Sequence, residues 1–269
     1  YSRKFTVDAP EENERLFLRF GAVNYEATVY VNGEYVGVHR GGYTSFGFDV
    51  TDKVRGGENE LRVKVHNDVT ENVPTGKQSA RPESFGCFYT RVTGIWQPVW
   101  LERTPVNYIE SLKFYPDIEG CAVKAELVCE GEGEAEIAVT YDGRLVGEAK
   151  GYVKYRRAFD IKLGEKHLWE IGNGSLYDVT VRYCGDEVKS YFGLRQAAYD
   201  GMKFMLNGKS VFQRLSLDQG YYPDGLYTAP DDESMRRDVE LGLRLGFNGA
   251  RLHQKVFDPR FLYHCDRAG

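Results

Sequence analysis

Lys203-Phe204-Met205-Leu206-Asn207-Gly208-Lys209-Ser210-Val211-Phe212 opens the stretch that decides the fold, Lys203 to Gly269. Two short apolar runs flank Asn207-Gly208, a pair that tolerates the two positive φ angles of a type I′ hairpin turn. After it the pattern reads strand, loop, helix, strand, loop, helix. Val211 to Leu217 is expected as the first strand and Pro230 to Leu245 as the first helix. Pro230 suits a first helical position, and Asp231, Asp232 and Glu233 favour the positive end of the helix dipole. Met235, Val239, Gly242 and Leu243 recur at helical spacing as one stripe, and Gly246 is placed for a left-handed cap. Phe247-Asn248-Gly249-Ala250-Arg251-Leu252 reads as a short buried strand. Asp258-Pro259 reads as the cap and first position of a second helix that runs into Gly269. Such alternation predicts a parallel α/β sheet, and nothing earlier in the chain shows it.

Upstream, the chain reads as all-β. Residues 105–195 carry seven strand candidates: Tyr108–Tyr115, Cys121–Glu130, Ala135–Tyr141, Arg144–Lys150, Tyr155–Ile161, Tyr177–Tyr183 and Glu187–Phe192. Asp142-Gly143 is a further hairpin turn, and seven strands in one such stretch predict an immunoglobulin-like sandwich. Residues 1–104 hold short alternating runs, including a hairpin around Asn32-Gly33, which predict a sandwich or jelly roll. Between Asn67 and Thr93 periodicity fails; a loop this long is commonly functional, and Phe85, Phe88 and Tyr89 argue that it packs. Gln196 to Gly201 reads as a polar linker. The expected division is therefore 1–104, 105–195 and 196–269.

A hydrophobic content of 42% supplies packed cores, and Tyr (19), Phe (15) and Gly (30) together favour β structure with tight turns. With a net charge of −5 and no basic run, a nucleic-acid footprint is not supported. No apolar run is long enough to span a bilayer. Cys87, Cys121, Cys129, Cys184 and Cys265 show no zinc-type spacing. They read as reduced, mostly buried thiols of a cytoplasmic protein, with a Cys121–Cys129 disulfide left open. No motif points to a phosphate, nucleotide, redox cofactor or metal.

The motifs, taken in order, resemble glycoside hydrolase family 2, the family of β-galactosidases, β-glucuronidases and β-mannosidases. The likeness runs through Ala27–Gly33, Gly41-Gly42-Tyr43-Thr44-Ser45-Phe46, Thr93–Glu102, Leu168-Trp169, Phe192-Gly193-Leu194-Arg195, Phe204–Phe212 with Arg214, Met235 and Asp238, Leu245–Asn248, and Cys265–Gly269. The resemblance implies a jelly-roll sugar-binding domain, an immunoglobulin-like domain and a catalytic (β/α)8 barrel, of which this chain holds the first two βα units. It also implies retaining hydrolysis of terminal β-linked sugars by two carboxylates. Both glutamates are expected beyond Gly269, so the chain carries no catalytic residue and reads as a fragment. A carbohydrate is the implied substrate, with no nucleic acid or membrane partner, and homo-oligomerisation of a longer parent stays open.

Candidate substrate-binding residues sit at strand ends, where barrel chemistry takes place. Asp218 and Gln219 follow the first strand, in Leu217-Asp218-Gln219-Gly220, where the family commonly has Asn-Arg-His-Glu. Arg251, His253 and Gln254 end the second; Arg251 matches the family's arginine, and Gln254 stands where the family often has histidine. Asp218 alternatively caps its own turn, and His253 alternatively serves structure. Asp231, Asp232, Glu233 and Asp258 are explained by helix starts. Tyr43, Tyr89, Trp96 and Trp100 are weighed as a sugar-stacking platform against a place in the core. The competing functional reading is a non-catalytic carbohydrate-binding or scaffolding protein that uses the two sandwiches alone.

Overall fold

The computed structural model describes residues 1–68 and 72–269, so positions 69–71 of the long loop lie outside the described residues. The chain is mainly β and divides into two compact units. One comprises Tyr1–Arg103, Ser216–Asp238 and Ala250–Leu262; the other comprises Thr104–Leu215, Val239–Gly249 and Tyr263–Gly269. Residues of the closing stretch are thus shared between the two.

In the first unit the strands are β1 (Ser2–Val7), β2 (Glu14–Phe20), β3 (Val23–Asn24), β4 (Glu26–Val31), β5 (Glu34–Arg40), β6 (Phe46–Asp49), β7 (Gly57–His66), β8 (Gly94–Ile95) and β9 (Val99–Pro105). They form sheets of order β1-β7-β4-β5, β6-β2-β9 and β3-β8. Alternation decides what goes inward: Ala27, Val29 and Val31 of β4 are buried, and they meet Leu16, Leu18 and Phe20 of β2 and Val63 of β7 in one core. The β4–β5 turn is the predicted one, with Asn32 at φ 52° and Gly33 at φ 85°. Its Asn32 amide also donates to the Lys53 carbonyl (2.8 Å) and to buried Asn59 Oδ1 (2.7 Å), which ties the turn to the start of β7. The strand expected over Ile95–Glu102 is interrupted at Trp96-Gln97-Pro98; proline cannot donate to a ladder, and pairing resumes at Val99.

The second unit is built on β10 (Ile109–Asp117), β11 (Ala122–Tyr141), β12 (Arg144–Lys162), β13 (Tyr177–Tyr183) and β14 (Asp186–Phe192). Four of the expected strands fuse here into two long ones. β11 and β12 form one hairpin that turns at Asp142-Gly143 and breaks register between Val128 and Glu132. The first half of β11 pairs with β10 and its second half with β13. Val123, Ala125 and Leu127 of one half thereby share a core with Ala135, Ile137 and Val139 of the other. The bulge takes the bend that separate strands would need a loop to make.

Gln196–Gly201, expected as a linker, contains instead strand β15 (Ala197–Asp200), which pairs with β16 (Lys203–Leu206). β16 continues through the predicted Asn207-Gly208 turn into β17 (Lys209–Ser210). Next come β18 (Leu215–Asp218), α1 (Asp232–Arg244), β19 (Gly249–Leu252) and α2 (Pro259–Ala268). α1 starts later than expected because Asp231, not Pro230, ends the turn before it. Asp231 Oδ1 accepts from the Ser234 amide (2.7 Å) and hydroxyl (2.6 Å), as an N-cap does. At the far end Gly246 (φ 87°) donates to Leu243, and Phe247 donates to Gly242, a Schellman closure. Asp258 caps α2 through the Arg260 amide (2.9 Å). β18 and β19 run the same way, since the Arg214 carbonyl accepts from Asn248 (2.9 Å) and the Asp218 carbonyl from His253 (2.8 Å). Gly249, Ala250 and Arg251 are exposed rather than buried as expected, because among the described residues β19 pairs with β18 alone.

None of the five cysteines is in a disulfide; only Cys129 is buried, and Cys87 and Cys184 are exposed. Expecting mostly buried thiols overlooked that Cys184 occupies the tight β13–β14 turn, at φ 48° before Gly185. Among the described residues, no helix is long and apolar enough to cross a membrane.

Candidate functional site

The site begins where β18 and β19 end. The Asp218 backbone carbonyl holds His253, while its side-chain Oδ1 accepts from the Gly220 amide at 2.7 Å. Asp218 is therefore fixed twice, as a strand end and as an Asx turn. Gln219 lies half-buried beside it; its Oε1 is buried with no partner among the described residues, as is Nδ1 of half-buried His253. Unpaired buried polar atoms are costly, so these two mark a place where a hydrogen-bonding partner belongs. Loss of hydration, helped by the charges of Lys77 and Arg251, holds His253 below the usual imidazole range. At neutral pH His253 is uncharged, able to accept at one ring nitrogen and donate at the other. Arg251 and Gln254 are both exposed, and Gln254 takes a left-handed φ of 56°. The structure thus brings Asp218, Gln219 and His253 together and leaves Arg251 and Gln254 on the surface.

Behind these strand ends lies an aromatic cluster. Trp96 (5% exposed) and Tyr227 (3%) pack with Val92, Ala22, Tyr43, Tyr221 and Leu226. The Tyr43 and Tyr227 hydroxyls share a hydrogen bond of 2.9 Å, and Tyr227 Oη donates to the Thr75 carbonyl at 3.2 Å. The Trp96 indole donates to the Gly42 carbonyl (2.7 Å), and Tyr89 stacks on Tyr221 with ring centres 3.8 Å apart. Burial pushes the Tyr221 phenol up to about 12. Tyr43, Tyr89 and Trp96 therefore do not form an open stacking platform; their faces are spent on the β18–α1 loop. Trp100 is the exception, 45% exposed on a cavity of about 580 Å³ lined also by Tyr1, Phe5, Leu18, Leu61 and Val99. Among its described residues the long loop packs as expected: Val92 donates to Gln78 (2.8 Å), and Phe85 stacks on Phe88 at 5.4 Å.

Sequence reasoning missed Lys255. Its ammonium lies over Tyr227 (4.4 Å), Phe257 (5.0 Å), Tyr221 (5.4 Å) and Trp96 (5.6 Å), and it donates to the Gly220 carbonyl. Burial pulls it down to about 8, against the opposing pull of Asp218 and Asp258. Gly220 is obligatory here: its φ is 61°, and a Cβ would stand 2.7 Å from Lys255 Cε and from Phe257 Cζ. Nothing local announces this arrangement, because its members are far apart in the sequence. Tyr222 donates to Asp238 at 3.1 Å, and burial together with the Asp218 charge raises the Asp238 carboxyl. Among the described residues, no group of His, Cys, Asp and Glu could hold a metal ion.

Residues 1–105 match the family described as glycosyl hydrolases family 2, sugar binding domain. Over its whole length the chain is 28% identical to a putative beta-glucuronidase of Formosa agariphila and 28% identical to a beta-galactosidase of Thermoanaerobacter pseudethanolicus. It covers 34% of the first and 38% of the second. Among solved structures, a Faecalibacterium prausnitzii beta-glucuronidase superposes on the whole chain with a TM-score of 0.82 and 26% identity, the chain covering 49% of it. Residues 1–105 thus carry a family 2 sugar binding domain, and the chain as a whole is similar to beta-glucuronidases and beta-galactosidases. It spans about a third to a half of the length of these relatives.

Proposed function

We propose that the chain is the sugar-positioning part of a retaining β-glycosidase that cleaves terminal β-linked sugars, as β-galactosidases and β-glucuronidases do. In this reading residues 1–104 are a jelly-roll sugar-binding-type domain, 105–195 an immunoglobulin-like sandwich, and 196–269 the entry of a (β/α)8 barrel. The catalytic glutamate pair lies outside this chain, and Asp218, Gln219, Arg251, His253 and Gln254 face the sugar. One observation carries the proposal: two buried polar atoms with no partner among the described residues, Gln219 Oε1 and His253 Nδ1, lie on residues that adjoin Asp218 at neighbouring parallel strand ends. Sugar hydroxyls supply the partners those atoms lack. Exposed Leu217 on β18, and Leu241 and Leu245 at the end of α1, support a barrel in which further strands and helices cover them.

The competing reading, a carbohydrate-binding or scaffolding protein working through Tyr43 and Trp96, is weakened because Trp96 is buried and half-buried Tyr43 packs edge-on to it and bonds Tyr227. Calorimetry of the chain with methyl β-D-galactopyranoside and methyl β-D-glucuronide tests the proposal. Binding to one of them is expected, weakened about tenfold or more by Asp218→Asn, with no turnover of aryl β-glycosides by this chain. Binding unaffected by Asp218→Asn and His253→Ala, but abolished by Trp100→Ala, would move the site to the first sandwich.

A further inference from the structure

Lys255 is a cation with no ion-pair partner within salt-bridge reach among the described residues, enclosed by four rings. An ammonium over aromatic faces is held by the ring quadrupoles, most strongly where water is excluded. Among the described residues its ammonium donates to the Gly220 carbonyl. That carbonyl belongs to the residue whose amide holds Asp218 Oδ1, and the Asp218 carbonyl holds the His253 amide. Lys255 follows His253 by two residues and so reaches from the end of β19 back to the end of β18. The links close a loop: His253 to Asp218, Asp218 to Gly220, Gly220 to Lys255. Two residues of this loop, Gln219 and His253, carry buried polar atoms, Oε1 and Nδ1, with no hydrogen-bond partner among the described residues.

We propose that Lys255 is the positioning residue of this site: its caged ammonium, through Gly220, fixes Asp218, Gln219 and His253 for a sugar's hydroxyls. The assignment rests on the strand-end reading of the function. A methionine of similar length would fill the cage but would leave the Gly220 carbonyl without its donor. The charged groups facing Lys255 are Asp218 from β18 and Asp258 before α2, and the phenols facing it are Tyr221 and Tyr227. These phenols are raised above their ordinary 10, and His253 is lowered below its ordinary 6.5. Between pH 7 and 9.5 Lys255 is therefore the group of this cluster that changes charge.

The test compares the chain with Lys255→Met by two readouts. In the first, the backbone amide resonances of Gly220 and His253 are followed from pH 7 to 9.5. They are expected to move with a midpoint near 8 in the parent chain and to stay flat in Lys255→Met. In the second, affinity for methyl β-D-galactopyranoside and methyl β-D-glucuronide is measured across the same range. The parent's affinity is expected to fall about tenfold as pH rises, and that of Lys255→Met to be about tenfold weaker at pH 7 with no pH dependence. Identical amide titrations, or equal affinity and pH profile, in the two proteins would overturn the role of Lys255. If neither sugar binds the parent while its amides titrate as expected, positioning by Lys255 stands and the strand-end sugar site falls.

Discussion

Trp96 and Trp100 belong to one run of sequence, Ile95 to Glu102, and they end in opposite surroundings. Trp96 stands where Pro98 breaks the strand, is 5% exposed, and carries the cluster that receives Tyr221 and Tyr227. Trp100 stands on β9, an outer strand of its sheet, and is 45% exposed beside a cavity. The same residue type is an anchor in one place and a surface in the other, and the difference is what reaches it. Loop residues from far along the chain close over Trp96; among the described residues, Trp100 lines its cavity with β1 and the edge of its own core.

Removing the two rings should sharpen this contrast. Trp96→Ala is expected to cost about 3–5 kcal/mol, since it empties a closed cluster and leaves the Gly42 carbonyl unpaired. Urea unfolding followed by circular dichroism measures it. A loss below about 1 kcal/mol would mean that the loop containing Tyr221 and Tyr227 does not depend on Trp96.

The next largest effect lies in the same cluster and depends on pH. The native fold holds Lys255 near 8, below its ordinary 10.5, so between these values the unfolded chain binds more protons. Stability contributed at this position therefore rises with pH across that window, by roughly 3 kcal/mol in total. The raised phenols of Tyr43, Tyr221 and Tyr227 act oppositely above pH 10, because the unfolded chain ionises first. Subtracting the profile of Lys255→Met isolates the lysine: the stability of the parent relative to the variant should climb from pH 8 to 10. A level difference would place Lys255 in water rather than in the cage.

How much of this was legible follows from the range of the interactions. Asn32-Gly33, Asp142-Gly143 and Asn207-Gly208 specify their turns alone, and the Gly246 closure and the Asp258 cap are equally local. Asp231 was misjudged by a short distance, because proline and aspartate compete for the same helix start and only the Ser234 bonds decide. The fusion of strands into β11 and β12 was hidden, since the expected strand stops at Glu130, where the ladder breaks register between Val128 and Glu132 and then continues. At the candidate site, Asp218 and His253 were visible as strand ends. Lys255 was not, since its cage gathers Trp96, Tyr221, Tyr227 and Phe257 from three parts of the chain. A lysine after a strand carries no mark of what will surround it.

Finer substitutions probe the edges of the comparison. Tyr43→Phe removes one hydroxyl from the closed cluster but leaves Tyr227 bonded to Thr75, so a loss of about 1 kcal/mol is expected from unfolding midpoints. Trp100→Ala should change stability by less than about 0.5 kcal/mol, because nearly half of the ring already meets water and no closed cluster empties. The two tryptophans would then differ several-fold in energetic weight despite their proximity. A loss near that of Trp96→Ala would show that the cavity beside β1 and β9 closes in solution, and that the ring counts as core on both sides of Pro98.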